Sequence, residues 1–136
     1  MKVRDIMSTK LVTVNKELTI RQLIKVLQQN QVSGVPVVDS EGRLEGIVSE
    51  KDVIKAVAEL IKVNLSIEEI NRKVGKLNWV EGIMSKNVIT VTEDTDAREV
   101  FKIMALKQIH RVPVVKNGIL AGIVSASDAH RLIEKL

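Results

Sequence analysis

The sequence predicts an α+β fold in which one unit of the order β-α-β-β-α occurs twice. Three motifs recur in the same order, at an offset of 77 residues up to Glu41 and of 76 residues from Arg43 onward. The recurring segments are Val3–Ser8 and Val80–Ser85, Val35–Val38 and Val112–Val115, and Gly46–Asp52 and Gly122–Asp128. A fixed period of this kind indicates a repeat architecture. We therefore expect one repeat over residues 1–60, a linker over 61–79 and a second repeat over 80–136.

Each repeat opens with a short extended stretch that is followed by an amphipathic helix. The stretches Leu11–Val14 and Val88–Val91 are rich in β-branched residues, which is typical of a strand. Apolar residues then follow at helical spacing: Ile20, Leu23, Ile24 and Leu27 in the first repeat, and Ala97, Val100, Phe101 and Met104 in the second. Thr19 and Asp96 stand near the helix starts, where their side chains are suited to cap the backbone, and Asp94 and Thr95 are also possible caps.

Two further strands and a second helix complete each repeat. The joints between these strands, Asp39–Arg43 and Lys116–Gly118, have the residue types of hairpin turns. The predicted strands are Val35–Val38 and Leu44–Val48, then Val112–Val115 and Ile119–Val124. In the linker, Ser66–Glu69 has the pattern of a capping box and predicts a short helix. Trp79, at the end of the linker, is expected to fill a hydrophobic core; the alternative is that it forms part of a partner surface.

The composition excludes several classes of function. There is no cysteine, which rules out a disulfide scaffold, a thiolate nucleophile and a Cys-based metal site. The net charge of +4 is mild and its cations are scattered, and aromatic residues amount to 1%, so nucleic-acid binding is not expected. No apolar run approaches the ~20 residues that cross a bilayer, and no signal peptide is visible. These features predict a cytoplasmic protein without a membrane partner.

Ser49 and Asp52, like Ser125 and Asp128, stand where a predicted strand ends and a helix begins. One interpretation is structural: the two side chains form a capping box, which stabilises a helix by about 1 kcal/mol. The other is a ligand site, in which the helix start and the hydroxyl bind a phosphate while the carboxylate accepts hydrogen bonds from a ribose diol. Gly46 would let a ligand or a backbone segment approach closely. The residues alone leave both interpretations open.

Taken together, the motifs resemble those of the tandem CBS (cystathionine β-synthase) domain, also called the Bateman module. The resemblance covers almost the whole chain and rests on D-I-M-S at the entrance, V-T-V, P-V-V, and G-I-V-S-x-x-D at the close of each repeat. It implies two repeats that pack by their sheets around a pseudo-twofold axis. It also implies two clefts between the repeats, each able to hold an adenosine-containing ligand.

The resemblance further implies which residues contact that ligand. The hydroxyls would contact phosphate and the carboxylates would bind ribose, in the pairs Ser49 with Asp52 and Ser125 with Asp128. The base would lie near Val12, Thr13 and Val35 in one repeat, and near Ile89, Thr90 and Val112 in the other. An Ile-His-Arg-x-Pro stretch is similar to one in the regulatory γ subunit of AMP-activated protein kinase, and it implies that His110 and Arg111 face phosphate. The first repeat has Ser33 and Gly34 there, so the two sites should not be equivalent. Either the first site borrows Arg111 across the interface between the repeats, or it binds a less charged ligand, or it is empty.

The function these residues imply is a non-catalytic sensor of an adenine nucleotide such as AMP, ADP or ATP, with a role in energy sensing. The two histidines, His110 and His130, share no arrangement with a nucleophile, so neither catalysis nor a metal site is expected. The alternative is a dimeric interaction module whose clefts bind S-adenosylmethionine, are vestigial or are empty. Apolar stripes on the terminal helices favour a homodimer. A regulated enzyme or transporter would be a separate chain.

Overall fold

The computed structural model describes residues 1–62 and 79–136. Its helices are α1 (Ile20–Asn30), α2 (Glu50–Lys62), α3 (Val80–Ile83), α4 (Ala97–Lys107) and α5 (Ala129–Lys135). Its strands are β1 (Gly34–Val38), β2 (Leu44–Ser49), β3 (Arg111–Lys116) and β4 (Ile119–Ser125), and short 3₁₀ turns cover Val3–Asp5 and Ala126–Asp128. The predicted linker helix at Ser66–Glu69 lies outside the described residues.

The opening stretch of each repeat is shorter than the strand expected from its β-branched residues. Only Val14 and Val91 pair, as single parallel bridges to Val37 and Val114. The Val14 N–H donates to the carbonyl of Pro36 at 3.1 Å, and the Val14 carbonyl accepts from the Val38 N–H at 2.9 Å. A bridge of this form needs only the carbonyl of the proline, which has no N–H to give. The proline therefore fits between the bridge and the hairpin.

The hairpin turns follow the predicted chemistry. Asn117 and Gly118 both have positive φ, 53° and 81°, which is the conformation of the two-residue turn that suits a twisted hairpin. In the first repeat the turn is longer and Gly42 has a φ of 82°. The offset between the repeats therefore changes by one residue at the hairpin turn. β3 and β4 pair antiparallel, with Arg111 opposite Ser125 and Val112 opposite Val124.

The chain divides into two compact units whose boundaries do not follow the order of the sequence. Unit I comprises Met1–Leu11, Glu41–Leu44 and Asn87–Leu136, and unit II comprises Val12–Ser40 and Glu45–Lys86. In unit I, Ser8 exchanges two backbone hydrogen bonds with Ile123, at 2.9 and 3.0 Å. In unit II, Ser85 exchanges two with Ile47, at 2.9 and 3.0 Å. The entrance motif of each repeat is thus packed in the unit that contains most of the other repeat.

Each unit has its own aliphatic core. The core of unit I includes Val3, Ile6, Val91, Ala97, Val100, Met104, Val112, Val114, Val124 and Leu132. The core of unit II includes Val14, Leu23, Leu27, Val35, Val37, Val48 and Val80. Trp79 is 46% exposed, so the expectation that it fills a core is wrong. Val80 beside it is fully buried and takes that role in unit II.

The helix caps agree with the sequence. The Oγ1 of Thr19 accepts the Gln22 N–H at 3.1 Å, and the Gln22 Oε1 accepts the Thr19 N–H at 3.0 Å, which closes a capping box on α1. At the start of α4, Asp96 accepts hydrogen bonds from the Arg98 N–H at 2.9 Å and from its guanidinium at 2.9 Å. Both helices are followed by a C-cap glutamine with positive φ, Gln31 and Gln108.

The Asp96 carboxyl provides a test of the α4 cap by pH. The hydrogen bond from the Arg98 side chain, joined by that from its backbone, lowers the pKa of Asp96 from 3.8 to about 2. Because the folded pKa lies below the unfolded one, the cap stabilises the protein above pH 3.8 and its contribution is lost as the pH falls toward 2. We expect the Asp96 carboxyl carbon to titrate near 2 by NMR, and nearer 3.8 in Arg98→Gln protein. An unchanged value in that variant would contradict the assignment.

Candidate functional site

The candidate site consists of two matching corners, each at a junction of strand and helix. In the first corner the Oδ2 of Asp52 accepts the Ser49 N–H at 2.8 Å and its hydroxyl at 3.2 Å. In the second corner the Oδ2 of Asp128 accepts the Ser125 N–H at 2.8 Å and its hydroxyl at 3.3 Å. The two geometries agree to 0.1 Å, so the repeated motif gives a repeated structure.

These hydrogen bonds are those of the capping interpretation, and they are also compatible with a ligand site at the same residues. Each carboxylate uses one oxygen, Oδ2, to hold the start of the helix. Oδ1 of Asp52 takes no hydrogen bond from the residues that the structure describes. A carboxylate can accept about four hydrogen bonds through its two oxygens. Each corner can therefore cap its helix and still offer acceptor capacity to a ligand diol.

The two corners differ in the residues around the shared pair. Asp128 is buried, with 7% of its surface exposed, whereas Asp52 is only half-buried. The Ser125 hydroxyl lies 2.8 Å from that of Ser127, a hydrogen bond in which either oxygen could be the donor. The corresponding residue of the first repeat is Lys51, which is exposed. The second corner is thus the more enclosed one and the one with two adjacent hydroxyls.

The first strand of each hairpin, β1 or β3, begins beside the corner of the same repeat. In unit I the Ala126 N–H donates to the carbonyl of His110 at 2.9 Å, and Arg111 stands opposite Ser125 in the β3–β4 ladder. In unit II the Glu50 N–H donates to the carbonyl of Ser33 at 2.9 Å. The structure therefore brings His110 and Arg111 to the second corner, and brings Ser33, which has no cationic side chain, to the first.

The glycine of each corner motif is explained by a backbone segment. A Cβ built on Gly46 would lie 2.7 Å from the carbonyl oxygen of Ser85 and 3.0 Å from the Sδ of Met84. A Cβ on Gly122 would lie 2.7 Å from the Sδ of Met7 and 3.1 Å from the carbonyl oxygen of Ser8. Of the two reasons for a glycine that the sequence left open, the close approach of a backbone is the one observed. The I-M-S and G-I-V-S motifs are packing partners.

The residues expected near the base are placed in two different environments. The side chains of Val35 and Val112 are fully buried in the two cores, so a base at either corner would meet only their backbone. The side chain of Val12 packs against the core of unit II and is half-buried. Thr13, Ile89 and Thr90 are exposed. The exposed residues are the ones whose side chains are accessible to a ligand.

Within residues 1–62 and 79–136, no group of three or more His, Asp or Glu side chains is placed to hold a metal ion. His130, on α5, forms an exposed pair with Glu134, with 3.0 Å between Nε2 and Oε1. None of the helices in those ranges has the length and apolar character needed to span a membrane.

Sequence reasoning missed two polar neighbours of the second corner, Ser127 and Arg131. Ser127 pairs with Ser125, and the Nη1 of Arg131 lies 4.0 Å from the Oδ1 of Asp128. The available signal was helical spacing: a side chain three residues after Asp128 lies on the same face of the helix. Both repeats carry a cation at that position, Arg131 and Lys55.

Comparisons with known proteins agree with this architecture. The family model of the CBS domain matches residues 3–59 and 80–135. The chain is 30% identical to the CBS domain pair of protein MJ0100, solved in complex with 5′-methylthioadenosine and S-adenosyl-L-methionine, with a TM-score of 0.81 and coverage of 99% of this chain and 97% of that one. It is 25% identical to CBSX2, solved in complex with AMP, with a TM-score of 0.83 and coverage of 98% and 96%.

A further relative is an enzyme. The L-aspartate semialdehyde sulfurtransferase of Methanocaldococcus jannaschii is 33% identical over 131 residues, which are 96% of this chain and 23% of that protein. More than three quarters of that enzyme therefore lies outside the matched region. The fold class and the two repeats expected from the sequence are confirmed by these likenesses.

Proposed function

The chain belongs to the CBS domain family, and on that premise we propose that it is a non-catalytic regulatory module that binds an adenosine-containing ligand such as AMP, ADP or ATP. The observation that carries the proposal is the duplicated corner, in which the same Ser hydroxyl and Asp carboxylate are held at matching distances in both repeats. A diol that donates to a carboxylate is how acidic residues bind ribose in other nucleotide folds. The AMP complex of CBSX2 and the methylthioadenosine complex of MJ0100 are further support.

The two corners would prefer different ligands. The second corner has Arg111 opposite Ser125 and the backbone of His110 beside it, and guanidinium groups suit phosphate through their fork of donors. We assign the phosphate-bearing ligand to this corner. The first corner has Ser33 at the matching place and Lys51 as its nearest cation in sequence, so a ligand of lower negative charge fits it better.

Thermal unfolding with a small panel of ligands tests the proposal. A ligand at 100 times its dissociation constant stabilises the folded state by about 2.7 kcal/mol. For a domain of this size that corresponds to a rise in Tm on the order of 10 °C. We expect such a rise with AMP, ADP or ATP, and a smaller one with methylthioadenosine or S-adenosylmethionine. Mass spectrometry of protein purified without denaturation would identify any adenine compound carried through. No rise with any member of the panel would contradict the proposal.

A second candidate function is a dimeric interaction module, and the helix surfaces favour it. Ile54, Val57 and Ile61 on α2 are exposed, as are Ile133 on α5 and Leu136 beyond its end. Exposed apolar groups of this kind are typical of interaction surfaces. Light scattering on the same samples separates the two functions. A dimer whose mass is the same with and without ligand, together with an unchanged Tm across the panel, would favour the interaction module.

A further inference from the structure

Arg131 makes two contacts that connect the second corner to a distant part of the sequence. Its Nη1 donates a hydrogen bond to the carbonyl oxygen of Ile6 at 3.1 Å. The same nitrogen lies 4.0 Å from the Oδ1 of Asp128, the oxygen that does not hold the Ser125 N–H. One guanidinium group therefore stands between the carboxylate of the corner and the backbone of the N-terminal segment.

The contact between Arg131 and Asp128 is important because Asp128 is buried. Among the described residues, Asp128 is the one charged side chain that is buried. A buried carboxylate is costly unless it is paired with a cation and hydrogen-bonded. Ser125 supplies the hydrogen bonds, and Arg131 is the nearby cation. Asp52 is half-buried, and the described residues place no cation within 4.0 Å of it.

The segment that Arg131 reaches is docked by backbone contacts and by its core residues. Val3 donates to the carbonyl of Thr95 at 2.8 Å, and Ser8 exchanges two hydrogen bonds with Ile123. The side chains of Val3 and Ile6 are fully buried in the core of unit I. A charge-assisted hydrogen bond to the Ile6 carbonyl adds to these contacts at the point where the segment meets α5.

We propose that Arg131 is a positioning residue that links the Asp128 carboxylate to the N-terminal segment Met1–Leu11, so that a ligand held by Asp128 stabilises the docking of that segment. The ligand-dependent part rests on the proposed function. The link itself is a property of the ligand-free protein. Lys55 is the equivalent of Arg131 in the first repeat, and no ion pair joins it to Asp52 within the part of the chain that the structure describes. Ligand binding at the second corner would therefore affect the docking of an entrance segment, whereas ligand binding at the first corner would not.

Hydrogen exchange in the ligand-free protein tests the link. In Arg131→Met protein we expect the Ser8 amide to exchange roughly three- to tenfold faster, because a charge-assisted hydrogen bond to a half-exposed arginine is lost. Lys55→Met is the matched control and should leave the Ser85 amide of unit II unchanged. Arg131→Lys should restore part of the protection, since it keeps the charge and removes the planar fork of donors.

A double-mutant cycle with Asp128→Asn separates a link from a simple backbone contact. Asparagine keeps an acceptor for the Ser125 N–H but removes the negative charge. The effect of Arg131→Met on Ser8 exchange should then be smaller in the Asp128→Asn background. An equal effect in both backgrounds, or no effect in either, would overturn the link whatever the ligand does.

AMP is the probe for the ligand-dependent part. In the wild-type protein, AMP should slow exchange at residues 125–128 and at Ser8, and in Arg131→Met protein the slowing at Ser8 should disappear. Protection of residues 125–128 without any at Ser8 would overturn the transmission to the N-terminal segment. Absence of protection at residues 125–128 would instead overturn the proposed AMP site at this corner, while the ligand-free cycle would still decide the link.

Discussion

Alanine at position 46 is expected to lower the free energy of unfolding by about 2–3 kcal/mol, and alanine at position 122 by about 1 kcal/mol. The reason for the difference is the atom that each new methyl group would meet. At position 46 the nearest atom is the backbone carbonyl oxygen of Ser85, at 2.7 Å, and that backbone is held by two hydrogen bonds to Ile47. At position 122 it is the Sδ of Met7, also at 2.7 Å, at the end of a flexible side chain.

Trp79 makes the measurement simple. It is the single tryptophan of the chain, there is no tyrosine, and it directly precedes the buried Val80 of unit II. Urea unfolding followed by its fluorescence should show a lower midpoint for Gly46→Ala, with Gly122→Ala as the matched control. Met7→Ala should relieve part of the effect of Gly122→Ala, whereas Met84→Ala should not rescue Gly46→Ala, because a backbone atom is the obstacle there. Equal losses at the two positions would contradict this account.

The sequence predicted the repeated elements well because the information for them is local. The apolar spacing of Leu23 and Leu27, the caps at Thr19 and Asp96 and the turn at Asn117 and Gly118 each depend on residues within one or two turns of chain. The same holds for the Ser–Asp corners. Their hydrogen bonds span three residues, so the motif determines the geometry wherever the rest of the chain lies.

The sequence could not predict which segments pair across long distances. The I-M-S and G-I-V-S motifs each occur twice, and nothing in either copy says whether Ser8 joins Ile47 or Ile123. The structure joins Ser8 to Ile123 and Ser85 to Ile47. The extended stretches are a related case: β-branched residues predicted strands, but only Val14 and Val91 have a partner in register. Burial also depends on residues that are distant in the sequence. Trp79 was expected in a hydrophobic core, and the structure places the smaller Val80 there.

The residues of the candidate site were predicted from their types, and the difference between its two corners was predicted only in part. The contrast between His110 with Arg111 and Ser33 with Gly34 can be read from the sequence. The greater burial of Asp128 cannot, because burial depends on how distant segments of the chain pack and not on the motif itself. Under the proposed function that burial would strengthen binding, since a carboxylate with less water around it gains more from a hydrogen-bonded ligand.

Replacing Asp128 by asparagine should abolish most AMP binding at the second corner while leaving the fold intact. Asparagine retains an oxygen that can accept the Ser125 N–H, so the start of the helix stays capped. What is lost is the charge that strengthens hydrogen bonds from a ribose diol. Hydrogen bonds to a charged group contribute about 1.5–3 kcal/mol each, so the AMP affinity of this corner should fall on the order of 100-fold. Isothermal titration calorimetry measures that change directly.

The same substitution at Asp52 separates the two corners and completes the test. Asp52→Asn should weaken ligand binding at the first corner and leave AMP binding at the second corner unchanged, because the two carboxylates cap different helices. In the Asp52→Asn/Asp128→Asn protein, saturating ligand should no longer raise Tm. Circular dichroism should show the helix content of the wild type, since both caps retain an acceptor. If the double variant kept the full rise in Tm with AMP, the carboxylates would be structural caps alone, and the nucleotide would have to bind elsewhere on the chain.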